Sequence, residues 1–421
     1  MKKLNALLAL VAIAGLVFTP VAFADAGTDD LKAEITALKA RLAQLEAKVA
    51  ATPVPAAPAA TAPTIEVPSL VQGIQLSGYA DATYNYNFNQ PNTLTNRARV
   101  FDSHANNFNI DVFKLTFQKP VSADNRVGYR GDLLFGTDSQ VITSTGLGIG
   151  TDEFDLEQGY AEILLPTAGK IPGINDIDLK AGKFVTLMGA EVIESKDNWN
   201  TSRGLLFGYA IPFTHTGVRL SQTFDNGWDI AFGVNNGWDI TTDTNKGKTL
   251  EGHFGFNAIP LPGDSKVTIA LNGIVGPEAA GNNHSKRYLS DIVVTYNTPW
   301  KPLTLMYNMD YASEEDLLAT GINGIWVGHA MYARYDINDK WSVSARGEYF
   351  NDQDGVRVLS GTPAKYWEAT GTLEYRPWKN LVTRLEYRFD DANRRVFFSN
   401  NVGGSLSKDQ GTISGEVMYI F

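Results

Sequence analysis

The 421-residue chain contains no cysteine. This excludes disulfide frameworks, thiolate metal centres, iron–sulfur clusters, C-x-x-C-H haem attachment and cysteine nucleophiles. Positive charge is scarce: 36 Lys and Arg stand against 46 Asp and Glu, a net charge of −10. No broad basic field is present, so nucleic acid is not expected as a partner. The only long apolar run, Ala6 to Phe18, is shorter than the roughly 20 residues a spanning helix needs. A bundle of membrane helices is therefore excluded, and a hydrophobic content of 43% excludes disorder. The five histidines (His104, His215, His253, His284 and His329) are scattered, with no H-E-x-x-H, G-x-S-x-G or Walker spacing. No catalytic group, metal or cofactor is expected, and the acidic residues Asp152, Glu153 and Asp155 read as a solvated rim.

Residues 1–24 read as a secretory signal: Lys2 and Lys3, then the apolar run, then Ala22-Phe23-Ala24 as the cleavage site. Losing the two lysines makes the net charge −12. Residues 25–50 are expected to form a coiled-coil helix. Ile35, Leu42 and Val49 take the a positions and Leu31, Leu38 and Leu45 the d positions of a heptad seam. Such a seam asks for copies of itself; β-branched a with leucine d leans towards two strands. Residues 51–72 form a Pro/Ala-rich linker, with five prolines between 51 and 68.

From residue 73 to 421 the period is two. In Leu381 to Asp390 one face reads Leu, Thr, Leu, Tyr, Phe and the other Val, Arg, Glu, Arg, Asp. Sixteen such segments start near 74, 108, 126, 154, 176, 216, 228, 249, 265, 287, 302, 325, 340, 365, 380 and 410. Their connections alternate: compact turns such as Asp225-Asn226-Gly227 and Arg376-Pro377, then long polar segments near 89–106, 138–152, 188–214, 238–248, 276–286, 312–323, 351–363 and 391–408. Tight turns on one side and long loops on the other are the signature of a transmembrane barrel. The predicted fold is thus all-β, a transmembrane antiparallel barrel of about 16 strands preceded by the coiled-coil helix.

Aromatic residues flank the short turns: Phe224 and Trp228, Tyr296 and Trp300, Tyr335 and Trp341, Tyr375 and Trp378. These predict an interfacial girdle against outer-membrane lipid. The repeat Asn-Gly-Trp-Asp-Ile at 226–230 and 236–240 suggests a ruler, with Trp228 and Trp238 at opposite membrane surfaces. The closing segment carries Tyr419 and Phe421 on one face, a pattern of the kind read by the barrel-assembly machinery.

The opposite, inward face is rich in both charges, including Asp81, Lys114, Asp132, Glu348, Glu386 and Glu416. Unpaired charges in a dry interior would cost several kcal/mol each, roughly, which argues for water inside. A barrel of about sixteen strands is wide enough for an aqueous channel. The longest connection, the third long one, holds Ile193, Trp199, Leu205, Leu206, Phe207 and Tyr209, apolar enough to pack against a wall.

The sequence resembles the OmpL-like β-barrel porins over most of 73–421. The likeness is clearest in SGYADATYNYNFNQP, NNFNIDVFKLTFQKP, VGYRGDLLFGTD, QGYAEILLP and LKAGKFVTLMGAEVIESKDNWNTSRGLLFGYAIPFTHTGVR. It implies an outer-membrane pore whose third long loop folds inward. The loop would then place Glu191, Glu194 and Asp197, with Trp199, at the waist, facing Arg130, Lys180, Arg219, Arg346, Arg384 and Arg388. Passive diffusion of ions and small hydrophilic solutes is expected, with neutralisation of Glu191 and Glu194 lowering cation preference. A homo-oligomer is expected, a trimer preferred, with the coiled coil in the periplasm. The rival readings are a tether from outer membrane to cell wall, an enzyme in a barrel, and a sleeve for a cytochrome.

Overall fold

The computed structural model describes residues 73–148, 153–170, 172–319, 321–400 and 406–421. The signal, the heptad seam and the whole linker lie outside the described residues. Within them the alternation seen in the sequence becomes an inverted burial pattern. In Trp341–Asp352, Ser342, Ser344, Arg346, Glu348 and Asp352 are buried, while Trp341 and Val343 stand exposed. Elsewhere Ile110 is 70% and Met331 67% exposed while Asp132, Glu157 and Asp310 are wholly buried. Polar atoms inside and apolar side chains outside make sense only where hydrocarbon is the outer solvent.

Sixteen antiparallel strands close into one barrel, each paired with its sequence neighbours and the last with the first. The first eight are β1 Gln75–Asn87, β2 Asn107–Lys119, β3 Val127–Phe135, β4 Phe154–Leu165, β5 Ile177–Val185, β6 Thr214–Thr223, β7 Trp228–Asn235 and β8 Thr249–Leu261. The rest are β9 Ser265–Gly276, β10 Arg287–Asn297, β11 Leu303–Ala319, β12 Ile322–Asp336, β13 Trp341–Asp352, β14 Ala364–Trp378, β15 Leu381–Ala392 and β16 Asp409–Ile420. Closure runs from Tyr79↔Ile420 to Asn87↔Thr412. It is finished by reciprocal bonds between the backbones of Gly78 and Phe421 at 2.9 and 3.0 Å. Closure matters because an open edge has no hydrogen-bond partner in lipid.

Two expectations need correction. The long loop at 312–323 is mostly strand: Ala312, Ser313 and Glu314 pair with Trp326, Ile325 and Gly324, and Ala319 pairs with Ile322 beyond a bulge. The acidic run there looks like a loop, yet Glu314 turns inward to Arg287 at 2.6 Å and Glu315 accepts the Lys286 backbone N–H. The tryptophan ruler also fails. Trp228 is exposed on β7, but Trp238 lies beyond the strand end, buried edge-on to Trp326 at 6.2 Å. His329 sits on the outward face in unbroken register with Tyr349, and its Nδ1 lies 2.9 Å from the Tyr307 hydroxyl.

The short-turn aromatics cluster as pairs: Trp300 on Tyr335 at 4.9 Å and Trp341 stacked on Tyr375 at 4.2 Å. Trp228 meets Phe256 at 5.2 Å, and Trp378 is freely exposed. Phe224 closes its turn by donating its N–H to the Trp228 carbonyl, while Tyr296 lines an outer groove with Met331. Tyr419 and Phe421 are exposed.

The apolar core is inside the barrel, at its long-loop end. Phe101 of the first long loop (88–106) meets Phe207 and Phe213 at 5.8 and 5.6 Å. A short helix in the second long loop, α1 Thr137–Ile142, buries Ile142. Several loops, rather than the third alone, therefore fold into the interior.

Candidate functional site

The third long loop, residues 186–213 (L3 below), runs between β5 and β6 and is fastened to the inner wall from both sides. A 3-10 turn at Ser195–Asp197 and a π-helical turn at Leu206–Ala210 shape it. Its backbone would carry orphan donors and acceptors inside a low-dielectric space, and charged wall side chains meet them. The Arg384 guanidinium donates to the Ser195 carbonyl at 3.0 Å and the Asn198 carbonyl at 2.8 Å. Arg388 donates to the Arg203 carbonyl at 2.6 Å. Glu386 accepts the N–H groups of Thr201 and Ser202 at 2.7 and 2.9 Å. Glu348 accepts those of Leu205 and Leu206.

The apolar turn packs into the core cluster. Leu206 and Phe207 are buried, and Leu206 packs where β12 has Gly328. A Cβ at Gly328 would come within 2.7 Å of the Leu206 Cδ1 atom. The absent side chain on the wall is what lets the loop approach.

Arg346 is the hub. Its Nη1 donates to Glu191 Oε1 and to the Ser202 carbonyl, both at 2.6 Å, and its Nε donates to Glu368 at 2.9 Å. Glu191 also accepts the Gly204 N–H at 2.6 Å. Glu194 pairs with Lys114 at 2.7 Å. Burial opposes ionisation of Glu194, yet the Lys114 ammonium holds its carboxyl below the usual range.

Asp197 is exposed and pairs with its neighbour Lys196 at 2.6 Å. Trp199 meets the inward Tyr332 edge-on at 6.4 Å. Among the basic wall residues, Arg346, Arg384 and Arg388 reach L3. Arg219 pairs with Glu251 at 2.7 Å and donates to the Val185 carbonyl at the end of β5. Arg130 pairs with Asp132, and Lys180 with Glu162 and Asp178.

Lys114, Glu348, Glu386 and Glu416 are legible in the sequence as inward charges, but their partners are not. Parity says which way a side chain points, not which loop atom it meets. The interior charges are also not left to water: nearly every wall arginine has a carboxylate or carbonyl partner. Asp155, expected at a solvated rim, is buried on β4 and paired with Lys183 at 2.9 Å.

The carboxylates of Asp132, Glu157 and Glu194 come within 4.8 Å of one another, a grouping suited to a cation. The Lys114 ammonium already stands among them, at 3.1, 2.9 and 2.7 Å. Open space remains at two levels. A mouth of about 410 Å³ at the short-turn end is lined by Arg334, Arg376, Glu374 and Asp336. A chamber of about 20 Å³ lies beside L3, lined by Asp81, Asp111, Asp138, Arg203 and Glu416 among others.

The sequence profile of the family described as "Putative beta-barrel porin-2, OmpL-like" matches residues 73–421. The chain belongs to this family. It matches no curated protein. Among solved structures, this porin is similar to an anion-selective porin from Comamonas acidovorans: 11% identity, TM-score 0.53, with 83% of this chain and 99% of the other covered. OmpT of Vibrio cholerae in its trimer form gives 11%, 0.52, 83% and 99%. The channel DcaP of Acinetobacter baumannii gives 11%, 0.50, 83% and 97%. At such identities the likeness shows a common fold, and the family places this barrel in the outer membrane as a channel protein.

Proposed function

We propose that this porin passes ions and small hydrophilic solutes by passive diffusion, and that L3 is the constriction. One observation carries the reading: a loop lies inside a polar-lined barrel, held there by Arg346, Arg384, Glu386 and Glu348. A fixed loop with matched charges leaves narrow hydrated gaps, and in such gaps diameter and ring charge set selectivity. Glu191, Glu194 and Trp199 shape the loop side of the waist, and Arg346, Arg384 and Arg388 shape the wall side. Asp197 adds an exposed loop charge, while Arg130, Lys180 and Arg219 line the lumen away from the main fastening.

The short-turn end faces the periplasm in this reading, and the coiled coil is assigned to the same compartment. Tyr419 and Phe421 face lipid, where the barrel-assembly machinery would read them. Heptads and the trimeric form of a structural relative support a homo-oligomer, a trimer preferred. No chemical step is assigned to the protein.

The test is conductance in a planar bilayer with purified full-length protein. Discrete current steps are expected, and a variant with L3 loosened should give larger ones. Folded protein that never passes current would overturn the assignment.

A further inference from the structure

The chamber beside L3 holds more acid than base. It is walled by Asp81 of β1, Asp111 of β2, Asp138 of α1 and Glu416 of β16, with Asp102 from the first long loop and Arg203 from L3. Arg99 serves Asp102, and Arg384 serves Glu416 at 3.3 Å. Granting both pairs in full, Arg203 alone faces Asp81, Asp111 and Asp138; its nearest carboxylate is Asp138, at 3.4 Å.

A second observation points the same way. Asp81 Oδ1 and Glu416 Oε1 are buried with no hydrogen-bond partner, on side chains more than nine-tenths buried. Their second oxygens are held, Asp81 by the Ser195 hydroxyl and Glu416 by the Thr201 hydroxyl at 2.9 Å. Each carboxylate is thus anchored by one oxygen while the other has no partner.

Charge here must be balanced by protons or by mobile cations, because no further cationic side chain among the described residues lines the chamber. We propose that the gap between L3 and the β1, β2 and β16 wall is the ion path, and that Asp81 and Glu416 make it select small inorganic cations. This rests on the channel reading above. It also revises the expected role of the loop acids. Glu191 and Glu194 each face a cation, Arg346 and Lys114 at 2.6 and 2.7 Å, whereas Asp81 has no ion pair among the described residues.

The test is the reversal potential of full-length protein in a planar bilayer under a potassium chloride gradient. Wild type should favour K⁺ over Cl⁻. Removing one carboxylate, as Asp81→Asn or Glu416→Gln, should lower local cation concentration about fourfold if the charge lies roughly 5 Å from the ion in a water-like medium. Asp264→Asn, at an exposed turn, should leave the ratio unchanged. Heat-dependent gel mobility checks that each variant is folded. Should Asp81→Asn fail to fold, Glu416→Gln and the wild-type sign still decide.

A channel that conducts without preferring cations means protons alone balance the chamber, and overturns the proposal while leaving the channel reading intact. Folded Asp81→Asn and Glu416→Gln with the wild-type ratio overturn it likewise. An absence of current overturns both.

Discussion

Replacing Arg346 with methionine would separate a fastened loop from one that merely lies in the barrel. The guanidinium joins Glu191 and the Ser202 carbonyl on L3 to Glu368 on β14. Methionine keeps much of the packing and removes the charge. Glu191 then retains the Gly204 N–H, and Glu368 retains Thr370 and Arg388. Removing one partner of a buried ion pair costs about 3–5 kcal/mol, and these residual partners place the cost near the lower end, about 3 kcal/mol. That is smaller than the roughly 5–15 kcal/mol that holds a typical domain folded, so the barrel should survive. At 1.4 kcal/mol per decade, a loss of about 3 kcal/mol raises the detached-loop population about a hundredfold. The expected readout is larger or flickering single-channel current in folded protein. Adding Glu191→Gln removes the orphaned charge, so the double variant should recover about 1–2 kcal/mol relative to additivity in thermal unfolding. Wild-type conductance together with an unchanged unfolding temperature would refute the reasoning.

Gly328→Val should push Leu206 off the wall and cost about 1–3 kcal/mol of overpacking, read as a lower unfolding temperature with altered conductance. Lys114→Met leaves Asp132, Glu157 and Glu194 facing one another within 4.8 Å. It should destabilise the barrel by about 3 kcal/mol, and millimolar calcium should restore stability to the variant while leaving wild type unaffected. Asp239, in the loop after β7, has its carboxyl pushed up to about 6 by burial, against the backbone donors of Thr214 and Phe213. The folded state therefore binds a proton that the unfolded chain releases near 3.8, and stability falls as pH rises between those values. Asp239→Asn keeps an acceptor and suits the positive φ of 54°, so it should raise the unfolding temperature more at pH 8 than at pH 4.

The strands were legible because lipid enforces their alternation: Trp341, Val343 and Ala345 had to face outward if Ser342, Ser344 and Arg346 faced in. Strand starts agree with the structure to within a few residues for this reason. The β11–β12 hairpin looks like a loop in the sequence because Ser313 to Asp316 carry no apolar signal. Trp238 looks like a strand residue in the sequence because a repeated pentapeptide is periodic even where the strand has ended. At the site, Glu191 and Arg346 were both named from the sequence, yet their bond at 2.6 Å could not be, since the loop's path is set by tertiary contact. Glu386 and Glu348 were visible as inward acids, but their work for the loop's N–H groups has no linear signature.

The pairing of β1 with β16 has a consequence for biogenesis. The first and last staves in chain order seal the seam, so the first cannot be satisfied until the final one has been made. A nascent or truncated polypeptide holds two unzipped margins, each a template for aggregation, and such distant pairing is slow to form. The hoop can therefore snap shut only after the last stave has been made, and until then its margins stay open to the wrong neighbour.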